Sequence, residues 1–398
     1  MPAIDTMPAF HKTVLSPEET LKLAPEIGRH PTEKVWVYRY THETQPWTLS
    51  IATLAQPGSR MLSLGGFRIA PESRTSLPGW NPDHEAIDLA IGMEEKVYWS
   101  RLLKVGPKHV QRDFSRIVGG KCVMKPSKGS RVGEALDREL LDFAIECFKD
   151  VEKTGFFLTT GQDLGHGIMS DGKTSSLHYL NAHYKGSVVS DTGAPTAEGN
   201  YWMLIGQLKG ADIPVKGAVV GLIGAGNIGL HIIDHLVEDG AVPLVVEAKP
   251  EIRAALEKRG VKCWAPDGKA DFLRQPMDAL VLNAAGGSLD SDTVRLVAAN
   301  ATLRVINGSE NLVMPNPDDE EVLRAAKKVF CPCECAGMMG YLTAAEEYLS
   351  HLAGDEFTMA AMYEAARALE APGEKATRHV IAGGYAQTMS QAMQQLYG

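Results

Sequence analysis

The sequence predicts a two-domain α/β protein whose second domain is built on a doubly wound parallel sheet. Its 398 residues are enough for two hydrophobic cores. In the second half of the chain, short apolar strands alternate with helical stretches, which is typical of βαβ units. Residues 190–202 are rich in Gly, Pro, Ser and Thr and predict a link between two bodies. We therefore expect domain 1 to contain residues 1–198, completed by C-terminal helices at 350–398, and domain 2 to contain residues 199–349, with a cleft between them.

The composition narrows the class of protein. Apolar residues make up 44% of the chain and charged residues 22%, as in soluble globular proteins. The formal net charge of −9 argues against nucleic acid or an anionic membrane as the main partner. No stretch approaches the length of a membrane span, and residues 1–20 lack the basic start and apolar core of a secretory signal. We therefore expect a cytoplasmic location and reduced thiols at the six cysteines.

Two groups of potential metal ligands are interpreted as structural. The segment "CPCEC", residues 331–335, lacks both paired C-x-x-C spacing and an accompanying histidine cluster. It favours a strand end or loop with small side chains. We also interpret His166, His178 and His183 as structural or surface residues. The sequence therefore predicts no metal site.

The first half of the chain predicts strands followed by helices. Residues 34–67 contain the strand-like segments "KVWVYRY", "WTLSIATLA" and "RMLSLGGF". Residues 85–103 and 134–153 have helical spacing, and Gly155 ends the second of these runs. One face of that second helix carries the apolar side chains Leu136, Leu140, Ala144, Phe148 and Val151. A short strand, "FFLTT", then opens into the loop "GQDLGHG".

The second half predicts the strands of the parallel sheet. These are "AVVGLIG", "VPLVVE", "VKCWA", "DALVLN" and "LRVINGS". Pro243 stands near the start of its strand, where a missing N–H donor costs little. The last fifty residues predict helices that are interrupted at Gly383 and Gly384.

The segment "VVGLIGAGNIGLHIIDHL", residues 219–236, is an apolar strand followed by a GxGxxG loop and a helix. In such a loop Gly224 makes the tight turn, Gly226 lets a pyrophosphate approach the backbone, and Gly229 lets the helix pack closely. The helix begins near Asn227 and Ile228, where free N–H groups and a partial positive charge favour phosphate. This context predicts a Rossmann-type dinucleotide-binding domain; a glycine turn without a ligand is the alternative.

The strand ends indicate which dinucleotide binds. Glu247 ends the second strand of the sheet, twenty-three residues after Gly224. Its carboxylate can accept hydrogen bonds from both ribose hydroxyls and repels a 2′-phosphate, which favours NAD over NADP. Lys249 and Arg253 weaken that preference. Polar and small residues stand at the carboxyl ends of the other strands: Asn283, Ala284, Ala285, Gly308 and Asn311.

Three residues of the first half are unusual for their surroundings. Lys96 shares a helical face with Leu89 and Met93, so its ammonium either reaches to water or meets an anion. Lys121, in "SRIVGGKCVMKP", follows two glycines that permit close approach of a ligand. Apolar neighbours desolvate its amine and lower its pKa toward neutrality. Asp163 lies in the loop that directly follows a strand. Each has an ordinary structural explanation by itself.

Together and in this order, these features resemble the family of glutamate, leucine, phenylalanine and valine dehydrogenases, and the leucine, phenylalanine and valine branch most. The resemblance runs from about residue 35 to residue 350. It is carried by the segments "LSLGGFR", "LAIGMEEK", "VGGKCVM", "FFLTTGQDLGH", "GLIGAGNIG" and "VINGSENLV". It implies a substrate-binding and oligomerisation domain before the Rossmann domain, and a homo-oligomer.

The resemblance implies a set of substrate-binding residues. Lys96 would pair with the substrate α-carboxylate, assisted by the backbone at Gly65 and Gly66. Asn311 would hold the substrate against the nicotinamide. Leu64 stands where glutamate-specific members have a lysine, and a substrate carboxylate buried against leucine would lose its hydration without a partner. We therefore expect an apolar or aromatic amino acid as substrate.

The resemblance also implies the chemistry. Lys121 would activate the water that attacks the iminium carbon, and Asp163 would relay protons to and from the amino group. The expected reaction is NAD-dependent oxidative deamination of an L-amino acid to its 2-oxo acid and ammonia, together with the reverse reductive amination.

Two departures from the family pattern leave alternatives open. Cys335, in "ECAGMMG", stands where the family has an asparagine, and Glu94 and Glu95 precede Lys96 where a threonine is usual. One alternative is an oxidoreductase of the same fold that acts on a non-standard amine or keto compound in a biosynthetic pathway. The other is a non-catalytic protein that binds NAD as a sensor.

Overall fold

The computed structural model describes residues 10–24, 34–130, 135–136 and 138–398. These residues form two compact units. Unit 1 contains the described residues up to Val97 together with Lys108–Asp191 and Thr343–Phe357. Unit 2 contains Tyr98–Pro107, Thr192–Leu342 and Thr358–Gly398.

Unit 1 is organised by one mixed sheet. Its strands are β1 (Phe10–Leu15), β2 (Trp36–His42), β3 (Thr48–Thr53), β4 (Leu62–Leu64), β5 (Phe67–Ile69), β6 (Ile117–Lys125) and β8 (Phe157–Thr159), and β7 (Ala135–Leu136) and β9 (Ile168–Met169) form a separate pair. The order is β1-β2-β3-β6-β4-β8, with β5 also beside β6. Neighbouring strands in the part β1-β2-β3-β6 are antiparallel. In contrast, β4 and β5 run parallel to β6, and β8 runs parallel to β4. The segments that follow β4 and β8 therefore begin at the same edge of the sheet.

The helices of unit 1 are α1 (Pro17–Leu23), α2 (Glu72–Thr75), α3 (Pro82–Leu103, whose last residues fall in unit 2), α4 (Lys108–Asp113), α5 (Arg138–Glu152) and α6 (Ser176–His183). The predicted helix at 134–153 is α5, with its apolar face in the core. Residues 134 and 137 and the side chain of Leu136 lie outside the described part of the chain. The predicted helix at 85–103 is α3 and begins three residues earlier.

Side chains alternate across the sheet of unit 1 and fill two cores. Tyr38, Ile51 and Cys122 lie in one core, together with the apolar face of α5. Val37 and Val123, from the adjacent positions, lie in the other core, with apolar residues of α3. This period of two explains why β2, β3 and β6 are buried on both faces.

Unit 2 is built on a parallel sheet of six strands. They are β10 (Val219–Ile223), β11 (Val242–Val246), β12 (Lys262–Trp264), β13 (Ala279–Leu282), β14 (Val305–Gly308) and β15 (Val329–Phe330). Their order is β12-β11-β10-β13-β14-β15, which is the doubly wound order of a Rossmann fold. The order reverses between β10 and β13, where ligands of such sheets bind. The predicted fold class is confirmed. Of the six strands of this sheet, the sequence predicts five and misses β15.

The helices of unit 2 are α7 (Gly193–Gly210), α8 (Asn227–Glu238), α9 (Pro250–Lys258), α10 (Lys269–Leu273), α11 (Ser291–Ala299), α12 (Asp319–Ala325), α13 (Cys333–Ala336), α14 (Met339–Ala353, whose later residues fall in unit 1), α15 (Met359–Arg367), α16 (Glu370–Ala382) and α17 (Met389–Tyr397). The segment that we interpreted as a link, residues 190–202, is mostly the start of α7. Pro195 lies in the first turn of α7, where a helix tolerates proline. Among the described helices, none combines the length and hydropathy that a membrane span needs.

The C-terminal helices α15, α16 and α17 belong to unit 2. Of the predicted range 350–398, residues 350–357 therefore fall in unit 1 as expected, whereas residues 358–398 do not. Glycines allow α16 to lie directly against α7. A Cβ at Gly210 would lie 2.6 Å from the carbonyl oxygen of Glu374, and a Cβ at Gly206 would overlap the carbonyl oxygen of Glu370. The spacing of glycines along α7 was therefore a packing signal that joins it to the end of the chain.

We expect Gly206→Ala to destabilise the protein by about 2–3 kcal/mol, because the added methyl overlaps backbone that cannot move without separating two helices. The free energy of unfolding in urea measures this effect. Gly92→Ala is the matched control, since Gly92 is also helical and a Cβ there meets nothing within 4 Å. It should be neutral or stabilise by about 0.5–1 kcal/mol. Equal stabilities of the two variants would contradict the proposed packing.

Candidate active site

A buried ion pair between Lys121 and Asp163 is the centre of the candidate site in unit 1. Lys121 lies in β6, and Asp163 lies in the loop that follows β8. Their side chains are 7% and 13% exposed, and the ammonium contacts Asp163 Oδ2 directly. The backbone N–H of Leu164 donates to Asp163 Oδ1 at 2.7 Å and fixes the carboxylate. The fold thus brings together the two residues that the sequence predicted as catalytic.

Arg68 is a member of this cluster that we did not predict. Its guanidinium donates to both oxygens of Asp163 at 3.3 Å and to Glu85 Oε1 at 2.5 Å. The indole N–H of Trp80 donates to the second oxygen of Glu85. Arg68 follows the glycine pair in "LSLGGFR", but the partners that bury it are distant in sequence. The result is a chain of alternating charges from Lys121 to Glu85.

The environment favours the neutral form of Lys121. Burial lowers the pKa of this amine, and the positive charge of Arg68 lowers it further, whereas Asp163 opposes both effects. Burial raises the pKa of the Asp163 carboxyl, but Lys121 and Arg68 outweigh it and hold that pKa well below its usual range. The pair therefore combines a carboxylate that stays ionised with an amine whose pKa is lowered from the usual value of lysine.

The glycines before Lys121 pack against protein, not against a ligand as we predicted. A Cβ at Gly119 would overlap the backbone nitrogen of Glu94 in α3, and a Cβ at Gly120 would overlap the hydroxyl of Ser63 in β4. Small residues are required here because α3 and β4 both approach β6 closely. This correction assigns the glycines a structural role.

Gly66 is the glycine that faces the ion pair. A Cβ at Gly66 would lie 3.2 Å from Lys121 Nζ and 3.0 Å from Asp163 Cβ. Gly65 differs, because its Cβ would overlap the carbonyl oxygen of Gly120. Gly66 therefore places bare backbone beside the lysine and aspartate, whereas Gly65 is small because it packs against the backbone of β6.

Two further predicted substrate residues are buried in unit 1. Leu64 ends β4, is 1% exposed and lies opposite Gly119 and Thr159 in the sheet register. Lys96 lies in α3 and is 8% exposed. A lysine that reached into bulk water would be more exposed, so the structure disfavours that alternative.

His166, which we interpreted as structural, is held between two neighbours. Its Nε2 lies 2.6 Å from the Phe67 carbonyl oxygen, to which the ring N–H donates, and its Nδ1 lies 3.0 Å from the hydroxyl of Ser176. Burial lowers the pKa of this imidazole. Both ring nitrogens are therefore used to fix the loop that carries Asp163.

The glycine loop of unit 2 has the local geometry that its sequence predicts. Gly224 has φ +93°, and a Cβ there would lie 2.7 Å from the Asn283 carbonyl oxygen. A Cβ at Gly229 would overlap the carbonyl oxygen of Gly224, so the helix packs on the turn. A Cβ at Gly226 meets nothing within 4 Å. Gly226 is also the N-cap residue of α8. Because glycine has no side chain, the first backbone N–H groups of the helix, from Asn227 onward, receive no side-chain cap.

A carboxylate follows β11, and a guanidinium from α9 lies beside it. Glu247 is buried and accepts hydrogen bonds from the backbone N–H groups of Ala225 at 2.7 Å and Lys249 at 2.8 Å. Arg253 donates to the carbonyl oxygens of Glu247 at 2.6 Å and Ala248 at 2.7 Å. Glu247 thus links the strand end to the glycine loop.

Asn283 and Ala284 follow β13 at the same edge of the sheet as the glycine loop. Asn283 Oδ1 accepts from the hydroxyl of Ser309 at 2.7 Å, whereas its buried Nδ2 has no hydrogen-bond partner among the described residues. Glu310, which we did not predict, accepts N–H bonds from Ala284 at 3.0 Å and Ser288 at 2.8 Å. Burial raises the pKa of Glu310.

The last predicted substrate residue, Asn311, belongs to unit 2. It lies on an exposed loop directly after Glu310. Its position depends on the loop that follows β14, whereas the residues around Lys121 are held by elements of unit 1.

The sequence and the fold were compared with those of known proteins. A scan against models of protein families finds no match. The chain is 27% identical to valine dehydrogenase from Streptomyces virginiae over 137 residues, which cover 34% of this chain and 37% of that protein. It is 28% identical to leucine dehydrogenase from Geobacillus stearothermophilus over 134 residues, which cover 33% of this chain and 35% of that protein. The chain thus spans about a third of the length of these curated relatives.

Solved structures extend the likeness to almost the whole chain. L-tryptophan dehydrogenase from Nostoc punctiforme superposes with a TM-score of 0.62 at 17% identity, covering 94% of this chain and 97% of that chain. Hetero-hexameric glutamate dehydrogenase from Thermus thermophilus superposes with a TM-score of 0.61 at 16% identity, covering 98% and 87%. The chain is thus similar in sequence to valine and leucine dehydrogenases over about a third of its length, and it has the fold of amino acid dehydrogenases over almost all of it. The resemblance stated from the sequence is confirmed.

The structure explains one departure from the amino acid dehydrogenase pattern. Glu94, which precedes Lys96 where a threonine is usual, is held by a hydrogen bond within unit 1. Its carboxylate accepts the backbone N–H of Gly119 at 2.6 Å, within the contact between α3 and β6. This glutamate is therefore part of the packing that positions the strand of Lys121.

Cys335, where amino acid dehydrogenases have an asparagine, is a core residue of unit 2. It is fully buried, and its thiol lies 3.9 Å from Met393 Sδ in α17. Cys331 and Cys333 are also buried free thiols, and burial raises their pKa values well above the usual range. As expected, "CPCEC" follows a strand end, β15, and it continues into the single turn of α13.

One set of described residues has side chains that could hold a metal ion. These are Glu198 in α7 and His231 and His235 in α8. Sequence reasoning missed the set, although the spacing of the two histidines in "HIIDH" places them one helical turn apart. The glutamate lies thirty-three residues earlier, so the fold was needed to bring it there.

Proposed function

We propose that the chain is an NAD-dependent dehydrogenase that converts apolar or aromatic L-amino acids to 2-oxo acids and ammonia, and catalyses the reverse reductive amination. The observation that carries the proposal is the buried Lys121–Asp163 pair beside the bare backbone of Gly66. An amine with a lowered pKa next to an ionised carboxylate is an acid–base pair suited to proton transfer.

The substrate is proposed to bind through its α-carboxylate. Lys96 is proposed to supply a buried positive charge for that carboxylate, and the backbone of Gly65 and Gly66 to assist it, with Gly66 lying beside Lys121 and Asp163. Leu64 is a buried apolar residue at the position proposed to meet the substrate side chain, so a second carboxylate there would be desolvated without a partner. Asn311 is proposed to orient the amino or carboxylate end of the substrate. These roles favour leucine-like or aromatic substrates over glutamate.

The proton steps follow from the ion pair. Asp163 first relays one proton from the substrate ammonium to solvent. Loss of hydride from the α-carbon to the nicotinamide then leaves an iminium carbon, which water attacks as the neutral amine of Lys121 takes a proton from that water. Asp163 and Lys121, which are in contact, pass the proton to the amino nitrogen. The C–N bond then breaks, ammonia leaves, and the hydroxyl proton returns to Lys121 as the C=O bond of the 2-oxo acid forms.

The glycine loop fits a dinucleotide. The space at Gly226, the uncapped N–H groups at the start of α8 and the carboxylate of Glu247 correspond to pyrophosphate and ribose sites. Asn283, whose buried amide N–H has no hydrogen-bond partner among the residues that the structure describes, and Ala284 complete the proposed binding residues at this edge of the sheet. The bound NAD supplies a nicotinamide ring that accepts or returns the hydride.

We propose NAD over NADP because the Glu247 carboxylate repels a 2′-phosphate. Glu247→Gln keeps a hydrogen-bond acceptor for Ala225 but removes the charge. We expect the ratio of kcat/KM for NADH to that for NADPH to fall about tenfold or more, since Arg253 and Lys249 remain nearby to attract phosphate. Glu251→Gln, at an exposed position in the adjacent α9, is the control and should leave the ratio unchanged. An unchanged ratio in Glu247→Gln would refute the assigned role of this carboxylate.

Consumption of NADH tests the proposed activity directly. The assay uses high ammonia and a panel of 2-oxo acids: 4-methyl-2-oxopentanoate, 3-methyl-2-oxobutanoate, phenylpyruvate, indolepyruvate and 2-oxoglutarate. We expect turnover with one or more apolar or aromatic members and little with 2-oxoglutarate. If the protein turns over another carbonyl compound but none of these 2-oxo acids, it is instead an oxidoreductase that acts on a non-standard amine or keto substrate. If the protein binds NAD tightly but turns over no substrate, it is instead a non-catalytic sensor of NAD.

We also propose a homo-oligomer in the cytoplasm. A structural neighbour, the glutamate dehydrogenase from Thermus thermophilus, is described as hetero-hexameric, and the relevant surface in this family lies in the first domain. The cytoplasmic location is supported by the six cysteines, all of which are free thiols. Light scattering of the purified protein determines the subunit number.

A further inference from the structure

We propose that Glu198, His231 and His235 form a Zn²⁺ site in unit 2, separate from the residues of the proposed dehydrogenase reaction. Glu198 lies in α7, and the two histidines lie in α8. The ligand atoms of the three residues lie within 4.8 Å of one another.

The three ligand atoms converge on one point. Both imidazoles turn the same ring nitrogen, Nε2, toward Glu198 Oε1, at 2.9 Å from His231 and 2.7 Å from His235. The two Nε2 atoms lie 3.2 Å apart. Two nitrogens of a tetrahedral zinc complex, each about 2.0–2.1 Å from the ion, are about 3.3 Å apart. The observed triangle is therefore a few tenths of an ångström tighter than the face of such a complex.

Hydrogen bonds alone explain this arrangement less well. Two ring N–H groups that donate to one carboxylate oxygen also bring their hydrogens toward each other, because the nitrogens are 3.2 Å apart. A cation in place of the two protons removes that crowding and keeps the attraction to Glu198. Two imidazoles and a carboxylate are donors that zinc prefers, whereas magnesium and calcium prefer oxygen ligands.

Neighbouring aromatic residues fix the proposed ligands. The indole N–H of Trp202 donates to the second oxygen of Glu198 at 3.1 Å, which leaves Oε1 for the ion. The ring of Tyr201 stacks on His235 with centroids 4.7 Å apart, and the hydroxyl of Tyr201 contacts Asp239. Partners of this kind commonly orient metal-bound histidines and carboxylates.

The site is accessible to an ion and to a fourth ligand. The side chains of His231 and His235 are 34% and 31% exposed, whereas that of Glu198 is 12% exposed. Water can therefore complete a tetrahedron on the solvent side. A bound ion would tie α7 to α8, the helix that begins at the nucleotide loop, so its first effect should be on the stability of unit 2.

The proposal is tested by measuring Zn²⁺ binding to the tag-free chain of 398 residues after a chelator has removed any bound metal. Isothermal titration calorimetry should detect one equivalent of Zn²⁺, and added Zn²⁺ should raise the melting temperature of the wild-type protein. We expect Glu198→Gln, His231→Gln and His235→Gln each to weaken binding about tenfold or more. Glu198→Gln keeps the size and hydrogen-bonding oxygen of the side chain, so it should remain folded.

Two controls separate this site from adventitious binding. His178→Gln changes an exposed histidine of unit 1, and Cys263→Ser removes the least buried thiol, so neither should alter the affinity. Substitution with Co²⁺ should also give the visible absorption of a tetrahedral complex, and His235→Gln should abolish it. The proposal is overturned if the wild type binds no Zn²⁺, or if the three ligand variants bind it as the wild type does. Neither result bears on the dehydrogenase activity, which the 2-oxo acid assay measures independently.

Discussion

Replacement of Lys121 by methionine is expected to reduce kcat for reductive amination about a thousandfold or more, while NADH binds as it does to the wild type. Methionine has a similar length and no nitrogen, so it removes the proposed acid and base with little change in volume. General acid–base catalysis by one group contributes about 10²–10⁴-fold, and Lys121 also holds Asp163 in place. Steady-state kinetics measures kcat, and a fluorescence titration measures NADH affinity.

Lys125→Met is the matched control for Lys121→Met. Lys125 ends the same strand, β6, but is exposed. Its replacement should leave kcat and stability nearly unchanged. A Lys121→Met variant that retained more than about a tenth of the wild-type kcat would contradict the assigned role, because a lost acid–base group costs more than that.

Asp163→Asn is expected to lower kcat about a hundredfold or more and to move the acidic limb of the pH profile for deamination to lower pH. The reason for the shift is the sign of the lost charge. The Asp163 carboxylate raises the pKa of Lys121, whereas burial and Arg68 lower it. With asparagine the two lowering effects remain, so the pKa of Lys121 falls and the lysine becomes neutral at lower pH. The magnitude follows from the loss of one proton relay.

The profile of kcat/KM against pH measures this shift. Asp171→Asn is the control, since Asp171 is exposed and accepts hydrogen bonds from Lys173 and Thr174 that asparagine can also accept. It should leave the profile in place. An acidic limb that stays fixed in Asp163→Asn, or moves to higher pH, would show that Lys121 is not the titrating base.

Local patterns in the sequence were enough to predict the sheet of unit 2. The strands β10 to β14 are short apolar runs, and the GxGxxG loop marks the turn between β10 and α8. The strand β15 has two residues, too few for a periodic pattern. The Gly, Pro, Ser and Thr residues at 190–202 predict a link, yet most of this segment starts α7, because a first helical turn tolerates Pro195. The C-terminal helices were assigned to the other domain because their contact with α7 depends on long-range packing.

The sequence predicts a residue of the candidate site where its immediate neighbours in sequence make it unusual. Lys121 and Asp163 stood out because of their neighbours in sequence. Arg68 did not, since its partners Glu85 and Asp163 are 17 and 95 residues away. The glycines before Lys121 were recognised as important, but only the fold shows that they accommodate α3 and β4.

A crystal structure with NADH and a 2-oxo acid from the panel is the most direct test of the proposed acid–base centre. The account predicts Lys121 Nζ within about 2.6–3.2 Å of the C2 oxygen of the oxo acid, with Asp163 still in contact with Nζ. An oxo acid bound elsewhere, or a Lys121 ammonium turned toward bulk solvent, would contradict the account.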